Sequence, residues 1–144
     1  MKVLGIPLIP LLILVVNALL CLWALVGLIE WFTGPLFWPA VSNAELPRNI
    51  LLLQWLLCLA TPTVLFAGLA MQWRFTPLAV VIGYALMAIL CAVETFGYMT
   101  NESRFRAIAI EYLTYIVFGT LLFQHGYFKE RFSAMESSVW QPAT

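Results

Sequence analysis

Glu94 and Glu111 stand inside long apolar stretches of this chain, and a carboxyl group in such a place is costly to keep and seldom faces lipid. The polar segment 99–106 separates them. Each glutamate is about a turn and a half from it, so an antiparallel helix pair brings both carboxyls to one depth, roughly 7 Å below the same interface. Glu30, at the end of the first apolar stretch, belongs to that side, and so do Arg48, Arg104 and Arg106. The chemistry divides on those arginines. A guanidinium that reaches down while its head stays near water makes each glutamate half of an ion pair. Two carboxyls held together without an arginine repel one another, and one then tends to keep a proton near neutral pH, which is how a proton relay or cation site begins.

Helical spacing puts Tyr84, Met87, Cys91, Glu94 and Tyr98 on one stripe, and Glu111, Tyr115 and Phe118 on another. Aromatic and methionine side chains with a few convergent polar groups describe a small-molecule pocket as well as a plain helix interface. The candidate ligand or proton site is therefore Glu94, Glu111, Tyr98, Tyr112, Tyr115, Glu30, Arg104 and Arg106. No catalytic set is assigned. His125 is the only histidine and reads as an interfacial residue, and Cys21, Cys58 and Cys91 are too far apart for a zinc or CxxC pattern. The cysteines read as small buried groups in helix contacts. No Ser-His-Asp set, phosphate-binding glycine loop or HExxH sequence is present, so no metal and no cofactor is named.

The elements that must position these residues are helices in a bilayer. With 63% hydrophobic and 10% charged residues in a 144-residue chain, a water-soluble fold would leave large apolar patches on its surface. Four apolar segments, 6–29, 50–71, 77–98 and 107–123, approach the roughly 20 residues that a helix needs to cross about 30 Å of hydrocarbon. They lack the alternation of barrel strands. The expected fold is all-α, an integral membrane four-helix transmembrane bundle over 1–128 with a short, loose polar tail over 129–144. The first segment follows Lys2 and is too long for a signal-peptide core, so it reads as a retained span. The aromatic and proline-rich run from Glu30 to Pro39 suits the headgroup layer. Gln72 to Thr76 makes a very short second turn. Asn17 is expected to bond across to another helix, and Pro62 to disturb the ladder of the second. Ala79-xxx-Gly83 and Ala88-xxx-Ala92 permit close approach along the third.

Seven basic residues balance seven acidic ones, which gives no nucleic-acid footprint. Lys2, Arg74, Lys129 and Arg131 fall on the side of both termini, against Arg48, Arg104 and Arg106 opposite, a bias that puts both termini in the cytoplasm. The plan resembles the DoxX and DoxX-like group of small four-helix bacterial membrane proteins: an aromatic-rich first connection from Trp31 to Trp38, a tight turn Trp73-Arg74-Phe75-Thr76, and a closing helix followed by basic residues. The resemblance implies a bacterial inner membrane and a functionally mixed family, some of whose members associate with membrane redox complexes. A second likeness, to the four-helix sterol-isomerase fold, is carried by Trp73-x-x-Thr76-Pro77. The leading expectation is a non-catalytic subunit or scaffold whose partners are membrane lipids and other membrane proteins or further copies of itself. The alternatives are a protein that binds or transports a small lipophilic or protonatable ligand through its intramembrane glutamates, and a membrane-embedded redox or isomerase enzyme.

Overall fold

The computed structural model describes residues 2–3, 6–33, 46–100 and 102–138. The expected headgroup segment from Gly34 onward, Asn101, and the end of the tail past Ser138 lie outside them. Lys2–Val3 (β1) and Ile6–Pro7 (β2) pair antiparallel just before the first helix. Among the described residues five helices follow: α1 Leu8–Thr33, α2 Arg48–Met71, α3 Thr76–Gly97, α4 Arg104–Gln124 and α5 Gly126–Ser138. The first four, of 26, 24, 22 and 21 residues, are long and apolar enough to cross a membrane.

The distribution of side chains is what a bilayer demands. Outward positions carry Leu12, Leu19, Leu22 and Val26 on α1, and Ile82, Leu86, Ile89 and Val93 on α3, all exposed. The buried positions include Asn17, Thr61, Glu94 and Thr95. Water would drive those two sets the other way round, whereas hydrocarbon accepts the first and pushes polar groups inward to find partners.

α1 packs on α2, α2 on α3 and α3 on α4, in chain order. Short connections, 72–75 and 98–103, enforce the last two of those pairings. α2 ends at Gln72, in the left-handed region at φ 51°, whose N–H returns to the carbonyl of Gly68. Thr76 then starts α3 with its hydroxyl donating to Trp73 O at 2.6 Å. Gly68 is needed here because a Cβ would fall 2.0 Å from Thr76 Oγ1. At the far end, Arg48 and Trp31 clasp α2 to α1: Arg48 Nη2 donates to Trp31 O, Trp31 Nε1 donates to Arg48 O, and the guanidinium lies 4.7 Å over the indole. In mid-span, Tyr84 donates to Asn17 Oδ1 at 3.0 Å, while Asn17 Nδ2 donates to Ile13 O. That ties α3 to α1. α2 runs through Pro62 as one helix, with the Thr63 hydroxyl donating to Leu59 O.

The tail differs from expectation. Instead of turning loose at residue 129, the chain bends at His125, whose backbone is extended, and continues as α5 to Ser138. Phe128 is fully buried and stacks at 6.1 Å on the buried Phe132. Two aromatics four residues apart form one helical face, and covering that face holds α5 against α4.

Candidate functional site

Glu94 lies three residues before the end of α3 and Glu111 seven residues into α4, so their Cα depths differ: about 4 Å against about 10 Å from the helix ends. Glu111 is the deeper because α4 begins at Arg104, a turn earlier than its apolar run. The carboxyl groups nevertheless meet in one cavity of about 10 Å³, lined by Gln54 and Cys58 of α2, Met87, Leu90, Cys91 and Glu94 of α3, and Glu111 and Tyr115 of α4. That volume is at the lower limit for one water, about 10–15 Å³.

The two glutamates are treated differently by their surroundings. Both oxygens of Glu111 accept hydrogen bonds, Oε2 from the Cys91 thiol at 2.7 Å and Oε1 from the Tyr115 hydroxyl at 3.0 Å. Glu94 is buried to 3% exposure, and its Oε1 has no hydrogen-bond partner. Among the described residues no basic residue lines the cavity. Arg104 is engaged elsewhere, its Nη1 donating to the carbonyl of Met99 and its guanidinium lying 4.8 Å over Phe105. Arg106 is exposed, and Arg48 belongs to the clasp with Trp31.

The stripes read from the sequence face each other along most of their length. Tyr84 and Tyr115 stack with ring centroids 5.3 Å apart at an interplanar angle of 13°. Tyr112 donates to Ala88 O at 2.8 Å. Tyr98, just past the end of α3, is exposed and does not line the cavity. Glu30 is buried near the end of α1 with one oxygen unpartnered, and it too lies outside the cavity lining. Of the eight candidates, then, Glu94, Glu111 and Tyr115 converge, with Tyr112 alongside.

Gln54, Cys58 and Cys91 join the site although none of them is among the candidate site residues read from the sequence, where Cys91 shares the stripe of Glu94 and the cysteines read as small groups in helix contacts. The spacing held a usable signal: Gln54 and Cys58 share a face of α2, and Cys91 lies one turn from Glu94 on α3. Cys91 acts here as a thiol donor rather than as an apolar filler. Among the described residues no group of three or more His, Cys, Asp or Glu is placed to hold a metal ion.

Beyond Tyr115 lies a larger groove of about 410 Å³ between α3 and α4. Val81, Tyr84, Ala85 and Ala88 form one wall, and Tyr112, Tyr115, Ile116, Gly119, Thr120 and Phe123 the other. Its outer rim, including Ala85, Ile116 and Phe123, is exposed, so in a bilayer it opens sideways to the hydrocarbon. Small residues make the space, because Ala85, Ala88 and Gly119 leave the helix surfaces unfilled. Tyr115 lines both the groove and the carboxyl cavity.

The fold and the side-chain distribution define a helical integral membrane protein. Comparison of the chain with protein-family models, curated proteins and solved structures finds no match.

Proposed function

We propose that this chain binds or transports a small lipophilic molecule carrying a protonatable nitrogen, with its apolar body in the α3/α4 groove and its charged end at Glu111. The observation that carries the proposal is the position of Tyr115, a single side chain between a lipid-facing groove and a carboxyl cavity without a basic residue. The volume of about 410 Å³ suits a small ligand, for which sites run from about 300 to 1,000 Å³. The phenol faces of Tyr84, Tyr112 and Tyr115 attract a cation on its way in. Swinging Tyr115 aside gives up its bond to Glu111 Oε1 and leaves that oxygen for an ammonium group.

The test is binding of a radiolabelled tricyclic tertiary amine to detergent-solubilised protein, beside a neutral analogue with carbon in place of the amine nitrogen. The amine should bind more tightly than the analogue, and Ala85→Phe, which plugs the groove, should weaken both. Equal binding of the two molecules, or binding indifferent to Ala85→Phe, would sink the proposal.

A second reading, a non-catalytic subunit of a larger membrane complex or a homo-oligomer, is favoured by the openness of α4. Only Phe118, Gly119 and Leu122 of that helix are buried, and its main partners are α3 and α5. Recovery from native membranes as a lone monomer under gentle detergent would count against it. In either reading the DoxX-like layout, the bacterial inner membrane and cytoplasmic termini belong to the proposal, supported by the four spans and the basic-residue bias. Lipids are partners in both, and nucleic acid in neither.

A further inference from the structure

We propose that the Glu94–Glu111 pair keeps one resident proton at neutral pH, held on Glu94 and bridged by a single water in the cavity, and that an incoming ligand cation displaces that proton. The resident proton stands without the ligand reading above; only the displacement rests on it.

Hydrogen bonding divides the roles. Glu111 receives a donor on each oxygen, the thiol of Cys91 and the hydroxyl of Tyr115, an arrangement that matches an acceptor-only, ionised carboxylate. Glu94 presents a bare oxygen at 3% exposure. Left ionised, it would carry an uncompensated buried charge beside a second negative group, the costliest of the available states.

No neighbouring charge relieves it. The titratable groups that line the cavity with Glu94 are Cys58 from α2, Cys91 from α3 itself, and Glu111 and Tyr115 from α4, and each is neutral or negative. α1 contributes nothing to the lining. A protonated Glu94 removes one of the two charges and becomes a donor. The cavity is at the lower limit of the space that one water needs, and Glu94, Glu111, Gln54 and Tyr115 in its lining are enough for the two to four polar partners that a buried water takes.

The exchange conserves charge at the site. Before binding, one neutral acid and one carboxylate sum to a single negative charge. When a cationic amine enters, the Glu94 O–H bond breaks, its proton leaves to water, and two carboxylates face one ammonium, again a single negative charge. One proton leaves for each cation bound.

Infrared difference spectroscopy on the ligand-free, detergent-solubilised protein tests the first half. A protonated carboxyl C=O stretch is expected at neutral pH, lost in Glu94→Gln and retained in Glu111→Gln, with Glu30→Gln identifying any band from that other buried glutamate. Should Glu94→Gln fail to fold by circular dichroism, Glu94→Leu takes its place. Absence of the band, its survival in the Glu94 variant, or its disappearance in sodium chloride but not in choline chloride would overturn the resident proton, the last in favour of a metal cation. A pH-indicator dye in weakly buffered solution tests the second half: about one proton should be released per tricyclic amine bound. Binding without release overturns the exchange, whereas absence of binding overturns the ligand reading and leaves the infrared result to judge the proton.

Discussion

Gly83 of α3 lies against Thr61 of α2, and a methyl group placed there would come within 2.4 Å of Thr61 Oγ1 and 2.8 Å of its Cγ2. Ordinary contact begins at 3.4 Å, so the added carbon is short of room by about 1 Å. Thr61 is buried and β-branched, which leaves it little freedom to turn away. Overpacking of this kind costs about 1–3 kcal/mol, while alanine gains about 1 kcal/mol over glycine as a helix former. Gly83→Ala should therefore destabilise the protein by a net of about 1 kcal/mol, or about 3 °C in midpoint. Thr61→Ala removes both offending atoms and leaves only its Cβ, at 3.1 Å. In that background the same glycine change should be neutral or stabilising, because the helix-forming gain is then opposed only by the few tenths of an ångström that this Cβ must give. Thermal unfolding of the four proteins in one detergent, followed by tryptophan fluorescence, measures the reversal. An equal loss in both backgrounds would show that Thr61 is not the obstacle, and no loss in the wild type would show that α2 and α3 do not approach this closely. The outcome bears on the site, since Thr61 lies one turn from Cys58 and two from Gln54, the α2 wall of the carboxyl cavity.

The other expectations follow from single contacts. Glu111→Gln should weaken the tricyclic amine about 10- to 100-fold, the worth of a charge-assisted hydrogen bond at about 1.5–3 kcal/mol, and leave the neutral analogue unchanged; an equal loss for both would trace the effect to misfolding. Tyr84→Phe strips the donor from Asn17 Oδ1 and should cost about 0.6–1.7 kcal/mol, with little further loss on adding Asn17→Leu, as unfolding midpoints of the single and double variants will report. Phe128→Ala, at a fully buried position, should cost about 3–5 kcal/mol and expose α5 to limited proteolysis; protection equal to that of the wild type would mean that α5 is not held by this side chain.

The spans were readable from hydropathy because each helix presents lipid-facing leucine, isoleucine or valine over most of its circumference, a signal that needs no partner to interpret. The pairing of Glu94 with Glu111 was readable for a similar reason: a connection as short as 99–106 forces neighbours. Their relative depth was not. Hydropathy drops at Arg104 and Arg106, yet the helix continues through both, so α4 starts at Arg104 and Glu111 lies two turns in, level with Cys91. Nor does a sequence say where a guanidinium turns. Arg104 reaches Met99 O and Phe105 rather than a carboxylate. The last helix was missed although Phe128 and Phe132 mark an apolar face, because the charged residues between them lower the average that a hydropathy window reports.

The same bundle contains its own standard for a polar group that serves only to hold helices together. Asn17 is as deeply buried as Glu94, but its amide donates to Ile13 O and its carbonyl accepts from Tyr84, so donor and acceptor alike have partners across or along the helices. A glutamate used as a clamp would be expected to reach a similar state, and Glu111, with a donor on each oxygen, does so. Glu94 departs from the pattern by keeping an oxygen bare beside a cavity of water size. In a hydrocarbon setting an alanine at the same position would avoid that penalty, and an amide would at least avoid the charge. A buried carboxyl oxygen left without a partner beside such a cavity is better accounted for by what enters the cavity than by what surrounds it, which favours the binding reading over the scaffold reading at this site, whatever surface α4 offers to other proteins.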